Sequence, residues 1–409
     1  MTIRGGARGP IAIATVVAKN FVAFGRVLAD SVRTWHPELP VYVALADEPG
    51  PGFDPAGECY EPVAIDALGI PRLRSLCFAS TRQQLTILAK PRVLGHLLDR
   101  GYETVVFLDA DILVLGRLDT LLEAAAPHAV TLTPHLLDPP GGVDRLSREL
   151  NILRSGVYNG GCIVVSACDE GRRFLDWWGG RLASHCLHDP GGGLHYDQRW
   201  LDLAPSFVER LGIARDPGLN VAYWNLRERQ ARVEDGRWVV NGGPCRFFHF
   251  SGFDPMRPDV ATRYASEVSL ESLGTAARLF DTYTALMLCA GHASVSAAPY
   301  AFGVFDNGVD IPDAARGLYK GMGDAEARFD DPFETGGRRS FYRWLTEADD
   351  CTGATHRVSR LWMAIHRSRP DLQQAFPDPT GADEEAFLDW TIAHGLREHV
   401  VDRALIVPA

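Results

Sequence analysis

The sequence predicts an α/β protein in which a mixed, mostly parallel sheet is flanked by helices and followed by a mostly α-helical C-terminal region. An apolar run at 11–17, a helical pattern and a second apolar run at 41–46 form a strand–helix–strand unit at the start. A third run at 105–114 contains only two polar residues, which is typical of a strand buried on both faces. After about residue 258, helical patterns alternate with loops. We therefore expect two domains, over residues 1–257 and 258–409.

Apolar periodicity places the other elements between these landmarks. Further strands are expected at 63–68, 129–133, 157–165, 237–241 and 246–250. Further helices are expected at 80–98, 118–125, 174–182 and 267–292. Glycine and proline at 136–142 predict a loop over the ends of the strands. In a parallel sheet ligands bind at the carboxyl ends of the strands, which here lie near 18–20 and Asp47.

Composition narrows the classes of partner. The content of 46% hydrophobic and 23% charged residues is that of an ordinary folded protein. The formal net charge of −11 argues against nucleic acid or an anionic membrane as the main partner, because both are polyanions. No run has the length of a transmembrane segment, and the start does not read as a signal peptide, so a cytoplasmic location is expected. The eight cysteines form no Cys-x-x-Cys pair and are expected to be reduced thiols.

The two carboxylates in the run at 105–114 predict a metal site. Ionised acids are costly in an apolar strand, so Asp109 and Asp111 are expected to mark its end. Residues i and i+2 project to the same side, so both can bind one hard cation, Mg²⁺ or Mn²⁺, that carries a diphosphate. Small Ala110 lets the backbone come close. The alternative is a pair of solvated acids that cap the helical turn at 118–125.

Two other elements offer groups to the same site. Lys90 stands on the helix that leads into the acidic strand, and His249 lies in an aromatic strand. Two carboxylates and one imidazole suit Mn²⁺ or Mg²⁺ better than zinc, for which thiolates or several histidines would be expected. Taken alone, His249 also fits a structural histidine. The strand at 157–165 opens with Asn159-Gly160-Gly161, whose glycines permit close approach to a ligand.

Several motifs follow the order that is found in nucleotide-sugar glycosyltransferases. They are Ala14-Thr15-Val16 with Asn20, Lys90, Asp109-Ala110-Asp111, Asn159-Gly160-Gly161, Asp197-Gln198 and His249-Phe250-Ser251-Gly252. Asp-x-Asp alone is a weak signal, but several motifs in the right order make a strong one. On these motifs the chain resembles glycosyltransferase family 8, the group of glycogenin and the lipopolysaccharide galactosyltransferases, over about residues 11–257.

The resemblance implies a GT-A (Rossmann-like) fold and a hexosyltransferase that uses a nucleoside-diphosphate sugar, UDP-linked, with retention of configuration. It implies Mn²⁺ or Mg²⁺ bound by Asp109, Asp111 and His249. It further implies donor-binding roles for Ala14, Thr15, Asn20, Lys90, Ala110, Asn159, Gly160 and Gly252. Asp197 and Gln198 are the implied catalytic pair. Because a neutral amide is a poor nucleophile, front-face attack by the acceptor is favoured over a covalent intermediate.

One motif departs from the family pattern. The family follows His-x-x-Gly with x-x-Lys-Pro, and its lysine touches the donor phosphate, whereas here Phe253-Asp254-Pro255 follows Gly252. We expect Arg257-Pro258 to substitute in a shifted register. The region 258–409 lies outside the family pattern and resembles helical extensions of bacterial sugar transferases. We expect it to shape the acceptor site or an oligomer contact.

Other functions stay open at this point. A sugar-nucleotide-binding protein without transferase activity is favoured by the missing lysine. A sugar-1-phosphate nucleotidyltransferase shares the fold and the metal, but it needs a glycine-rich loop after the first strand, and the glycines at 5–9 precede it. A lectin-like binder of the acceptor is a lesser variant. The acceptor is a glycan, a lipid-linked saccharide, a natural product or a protein.

Overall fold

The structure, a computed structural model, describes residues 9–50, 53–348 and 356–406. Contacts divide the described residues into two compact units. The first unit runs to Ile70 and continues from Thr86 to Tyr300, and the second contains Pro71–Leu85 and the described residues from Ala301 onward. Cys351 and most of the glycine-rich start at 5–9 lie outside the described residues. No disulfide joins any two of the seven described cysteines.

The first unit contains all fourteen strands of the described residues, some of which are only two residues long. They are β1 (Ile11–Val17), β2 (Val41–Leu45), β3 (Glu61–Ala64), β4 (Thr104–Leu108), β5 (Ile112–Val114), β6 (Val130–Pro134), β7 (Tyr158–Ser166), β8 (His188–Asp189), β9 (Leu194–His195), β10 (Leu211–Ile213), β11 (Ala231–Glu234), β12 (Arg237–Val240), β13 (Gly243–Pro244) and β14 (Phe247–His249). Seven of them form one sheet in the order β10-β6-β7-β4-β1-β2-β3. Its neighbours are parallel except at β7, which runs antiparallel to both β4 and β6. The predicted mixed, mostly parallel sheet is therefore confirmed.

The helices flank this sheet in the first unit and make up the second. They are α1 (Val22–Trp35), α2 (Leu73–Ala79), α3 (Arg82–Asp99), α4 (Asp119–Ala125), α5 (Arg145–Ser155), α6 (Asp169–His185), α7 (Gln198–Leu201), α8 (Ala277–Cys289), α9 (His292–Val295), α10 (Asp313–Gly321), α11 (Phe341–Thr346), α12 (Arg360–Ser368), α13 (Pro370–Ala375), α14 (Glu384–Trp390) and α15 (Leu396–Glu398). Short 3₁₀ segments and one π-helical turn (Thr391–Gly395) join them. In the residues 9–50, 53–348 and 356–406, no helix combines the length and apolarity needed to cross a bilayer.

The core of the first unit follows from its apolar runs. In β4 the residues Val105 to Leu108 are at most 1% exposed, since helices cover both faces of the sheet. The strand expected at 63–68 is shorter, because β3 ends at Ala64 and Ile65–Leu68 turns into a 3₁₀ helix.

Residues 258–300 belong to the first unit, although the sequence texture changes at their start. The reason is an aromatic face on α8. Tyr283 stacks on Phe250 with the ring centroids 3.9 Å apart, and Phe280 packs edge-on against Phe248 and Phe253. A division of function at residue 257 stays a prediction, whereas the compact unit ends at Tyr300.

The second unit has a core of aromatic rings around α2. Phe78 is fully buried and contacts the rings of Tyr319 and Phe341 at 4.8 and 5.3 Å. The Arg316 guanidinium is buried beside them and donates to the carbonyls of Phe78, Ser80 and Phe302. These bonds tie a segment at 71–85 to helices that lie more than two hundred residues later.

Candidate metal site and adjoining cavity

The turn between β4 and β5 places two acidic residues at the end of the sheet. The Asp109 N–H donates to the Gly161 carbonyl of β7 (2.8 Å), and the Phe250 N–H donates to the Asp111 carbonyl (2.9 Å). Since β14 pairs with β5, His249 stands opposite Ile112, next to Asp111. One ligand atom from each of Asp109, Asp111 and His249 lies within 4.8 Å of the other two. The three residues assigned to a metal from the sequence thus lie together.

The His249 ring is fixed by Asn220. Its Nδ1–H donates a hydrogen bond to Asn220 Oδ1 at 3.1 Å. Its Nε2 lies 3.1 Å from Asp111 Oδ1. Asn220 is fully buried in a left-handed conformation (φ 54°), and the buried Arg229 guanidinium donates to its carbonyl. A metal-binding histidine is commonly held in this way by its other ring nitrogen. No sequence motif marks Asn220, so it was not predicted as part of the site.

Charges in this cluster are strongly coupled. Burial lowers the pKa of His249, but Asp111 outweighs this effect and raises it overall. Burial raises the pKa of Asp111, but the attraction of the His249 imidazolium outweighs burial, so the pKa of Asp111 is lowered overall. Burial raises the pKa of Asp109, and the Asp111 carboxylate adds to that rise. The Asp111 carboxylate therefore favours the protonated form of His249, and a divalent cation would take the place of that proton.

Lys90 connects the metal cluster to the Asp-Gln pair. Its Nζ lies 2.9 Å from Asp109 Oδ1 and 2.9 Å from Asp197 Oδ2, and it donates to the Gly160 carbonyl at 3.1 Å. Burial lowers the pKa of Lys90, but the two carboxylates outweigh burial and raise it. The lysine is only 6% exposed, so its charge interacts with these two carboxylates and not with solvent.

The Asn-Gly-Gly segment packs without space for side chains. A Cβ at Gly160 would lie 2.5 Å from Asp197 Oδ2, and one at Gly161 would lie 2.7 Å from both Asp109 Oδ2 and His249 Cε1. Gln198 completes the segment, since its Oε1 accepts from the Gly160 N–H (3.1 Å) and the Asn159 amide (3.2 Å). The Gln198 Nε2 donates to Ser155 O at 2.7 Å. Glycine is required at both positions for this close approach.

His135 lies behind Asn159 and was not predicted as part of the site. Its Nε2 is 3.1 Å from Asn159 Nδ2 and its Nδ1 is 3.3 Å from Val157 O, so the neutral ring accepts from one and donates to the other. Burial lowers the pKa of His135 to about 3. The ring is therefore uncharged at neutral pH.

A cavity of about 550 Å³ opens beside Asp111. It brings together four of the predicted residues, which are Asn20, Asp111, Gly252 and Arg257. The other lining residues are Phe21, Phe24, Phe253, Asp254, Pro255, Met256, Val260, Arg263, Tyr264, His292, Ser296 and Ala297. The volume suits a small organic ligand.

Other predicted residues do not line this cavity. Ala14 and Thr15 are fully buried in β1, where they pair with Tyr42 and Val43 of β2. Ala110 is 8% exposed between the two acids. Lys90, Asn159, Gly160, Asp197 and Gln198 lie together around β7 instead.

The segment that lacks the family's lysine carries two arginines. Arg257 is exposed at the cavity, and its guanidinium has no hydrogen-bond or ion-pair partner within the part of the chain that the structure describes. Arg263 stacks over the Tyr264 ring (4.9 Å) and donates its backbone N–H to Gly252 O. Gly252 has φ 74°, and a Cβ there would lie 2.6 Å from the Tyr264 ring. Arg257 was predicted from the sequence, whereas Arg263 was not, because it follows no spacing rule.

Comparison with known proteins gives weak likenesses. No family model matches the chain. It is 23% identical over 168 residues to an uncharacterised protein, YfnD, of Bacillus subtilis, and that match covers 40% of this chain. The chain spans about half the length of this curated relative (52%).

Three solved structures are similar. A galactosyltransferase, LgtC, in complex with donor and acceptor sugar analogues is 16% identical with a TM-score of 0.39, over 70% of this chain and 97% of that one. The glycosyltransferase GlyE of Streptococcus pneumoniae is 12% identical with a TM-score of 0.39, over 73% and 67%. A glycosyltransferase involved in glycosylation of the major capsid of PBCV-1 is 12% identical with a TM-score of 0.37, over 60% and 94%. Likenesses this distant do not establish the function of this chain.

Proposed function

We propose that this chain is a metal-dependent glycosyltransferase of the GT-A fold. It transfers a hexose from a nucleoside-diphosphate sugar, UDP-linked, to an acceptor hydroxyl with retention of configuration. The observation that carries the proposal is the position of Asp111. This residue belongs to an Asp-Asp-His cluster and also lines a ligand-sized cavity that presents two guanidinium groups and aromatic rings.

The residues of the cluster fit a divalent cation. Two carboxylates and an imidazole whose Nε2 faces them form a donor set suited to Mn²⁺ or Mg²⁺. The backbone at Gly161 leaves space beside Asp109 and His249 that a Cβ would fill. When bound, such a cation neutralises the charge that builds on the departing diphosphate.

The cavity lining offers two kinds of group that suit two parts of a nucleoside diphosphate. Arg257 and Arg263 offer positive charge to phosphate oxygens, and their side chains bind such groups in a planar fork. Phe21 is 39% exposed beside Asn20 and stacks on Phe24, so a base can lie against an aromatic surface. Donor-binding roles for Ala14, Thr15 and Ala110 stay predictions, since none of the three lines the cavity.

The residues around β7 would face the sugar. Lys90 holds the Asp197 carboxylate in place through a hydrogen bond of 2.9 Å. Gln198 uses both ends of its amide to hold Asn159, Gly160 and Ser155, which suits a positioning role beside the sugar. An amide held in this way is no nucleophile, which supports front-face attack by the acceptor. The anomeric proton coupling of the isolated product tests retention.

The first experiment is calorimetry of UDP, GDP, TDP and CDP with and without Mn²⁺. We expect one or more of them to bind the native chain only when Mn²⁺ is present, and Asp111→Ala to lose that binding. Asp99→Ala, which changes an exposed acid on the last turn of α3, is the control and should bind like the native chain. If no nucleoside diphosphate binds, the proposal is wrong.

Turnover separates the enzyme from the alternatives. Slow donor hydrolysis with Mn²⁺ that is lost in Asp111→Ala supports a transferase, and binding without hydrolysis or transfer supports the sugar-nucleotide-binding protein. Formation of a nucleotide sugar from a sugar 1-phosphate and a nucleoside triphosphate would instead support the nucleotidyltransferase. A glycan, lipid-linked saccharide, natural product or protein acceptor, a homo-oligomer and a cytoplasmic location stay predictions.

A further inference from the structure

One wall of the cavity comes from a segment outside the family motifs. Helix α9 begins at His292, and His292, Ser296 and Ala297 line the cavity together with Asn20 and Phe21. The segment is anchored on α1, because Arg26 donates to Ala290 O (2.9 Å) and Phe24 packs edge-on against the His292 ring (5.2 Å). The position of His292 is therefore set by the core of the first unit.

Two buried polar atoms at this end of the cavity have no partner. Within residues 9–50, 53–348 and 356–406, neither Asn20 Oδ1 nor His292 Nδ1 makes a hydrogen bond. Asn20 is 9% exposed and His292 is 4% exposed. A buried polar atom without a partner is costly, and most such atoms in proteins are paired. Both atoms belong to residues that line the cavity, where a ligand can supply the missing bonds.

The two groups differ in what they need. The Asn20 Oδ1 is a hydrogen-bond acceptor, so its partner must be an N–H or O–H donor. Burial lowers the pKa of His292 more than the Asp254 carboxylate raises it, so the ring is neutral and carries one N–H donor. The third feature of this end is the exposed Phe21 ring next to Asn20, which offers a flat surface.

We infer that His292 and Asn20 form hydrogen bonds to the base of the donor nucleotide. They select a base whose edge carries an N–H next to a C=O. Uracil, thymine and guanine have this edge, with an oxygen at position 4 or 6. Cytosine and adenine carry an exocyclic amine there instead. The Asn20 Oδ1 accepts a hydrogen bond from the base N–H, and the His292 N–H donates one to the neighbouring carbonyl of the base. This inference rests on the proposed function, since it assigns the base-specific contacts of the same cavity.

The test is a comparison of UDP with CDP in the presence of Mn²⁺, on the native chain and on His292→Phe. The phenyl ring keeps the packing against Phe24 but removes the donor. We expect the native chain to bind UDP about tenfold or more tightly than CDP, because a mismatched edge leaves buried polar groups unpaired. In His292→Phe the preference should fall to within about threefold, through weaker UDP binding.

Two further variants make the result decisive. His292→Gln keeps a donor and should retain part of the preference, and it replaces His292→Phe as the test if that variant does not fold. His96→Phe changes a half-buried histidine of α3 outside the cavity and should bind as the native chain does.

The outcomes separate the two proposals. If UDP and CDP bind with Mn²⁺ but both His292 variants keep the native preference, His292 is structural and this inference is wrong, while the proposed function stands. A native preference for CDP would also overturn it. If no nucleoside diphosphate binds at all, the proposed function fails and the inference fails with it.

Discussion

The candidate site has two sides that differ in how their polar groups are bonded. On the side of β7, which we call the β7 side (Lys90, Asn159, Gly160, Asp197 and Gln198), the side chains bond to one another and to the backbone. On the side of the cavity, which we call the cavity side (Asn20, Arg257 and His292), polar atoms lack partners among the described residues. The β7 side is thus bonded within the protein itself, and the cavity side is where we propose that a ligand completes the bonding.

The difference predicts where mutations act. Changes on the β7 side should lower the free energy of unfolding, because they break bonds that exist in the free protein. Changes on the cavity side should lower ligand affinity with little effect on unfolding.

The largest effect is expected for Lys90→Met. It leaves the Asp109 and Asp197 carboxylates without their shared cation in a buried setting. Loss of one partner of a buried ion pair costs about 3–5 kcal/mol, and we expect that loss in urea unfolding. Arg172→Met, which breaks an exposed pair with Asp99, should cost at most about 1 kcal/mol. A loss below 1 kcal/mol for Lys90→Met would show that the β7 side is not set by this lysine.

Gly161→Ala should act on both stability and metal binding. The new Cβ meets Asp109 Oδ2 and His249 Cε1 at 2.7 Å, so the ligand cluster must shift. We expect a loss of about 1–3 kcal/mol in unfolding and about 10- to 100-fold weaker Mn²⁺ binding by calorimetry. Gly180→Ala in α6 is the matched control, because nothing lies within 4 Å of its Cβ, and it should be neutral or stabilising. Unchanged Mn²⁺ affinity in Gly161→Ala would place the metal elsewhere.

The buried His135 predicts a loss of stability in acid. Its pKa is about 3 in the folded protein, against about 6.5 in an unfolded chain. Between these values the unfolded state binds the extra proton, so stability falls as pH falls. From pH 7 to pH 5 this one group should lower the free energy of unfolding by about 2 kcal/mol. We expect His135→Gln to lose about that much less over the same range, and an equal loss in both proteins would contradict the assignment.

The smallest effect on stability is expected on the cavity side. Arg257→Gln removes an exposed guanidinium without a partner, so unfolding should change by less than about 0.5 kcal/mol. UDP affinity with Mn²⁺ should fall about tenfold, because a charge facing the phosphates is lost. Arg237→Gln, at an exposed arginine of β12 outside the cavity, should change neither quantity. A loss above 1 kcal/mol in unfolding for Arg257→Gln would remove the distinction between the two sides.

The same contrast explains what the sequence could predict. The residues of the β7 side and of the Asp109-Asp111-His249 cluster could be predicted because they belong to short motifs, such as Asp109-Ala110-Asp111. Apolar runs place these motifs at the ends of strands. The sheet was predicted because those runs are long and buried on both faces. His292 and Arg263 reach the cavity only through the packing of α8 and the Gly252 turn, and tertiary packing of this kind leaves no local pattern. The same packing of α8 carries the first compact unit on to Tyr300, past the change in sequence texture at about residue 258.

The second unit also has a consequence for synthesis on the ribosome. Pro71–Leu85 emerges early, but its packing partners from Ala301 onward follow only after the whole of Thr86–Tyr300 has been made. At roughly 5–20 residues per second, that interval lasts on the order of ten to forty seconds. During this time Phe78 lacks the rings of Tyr319 and Phe341 that bury it in the finished protein. The nascent chain therefore exposes an apolar helix for longer than most domains take to fold, and α2 is where a chaperone would bind it.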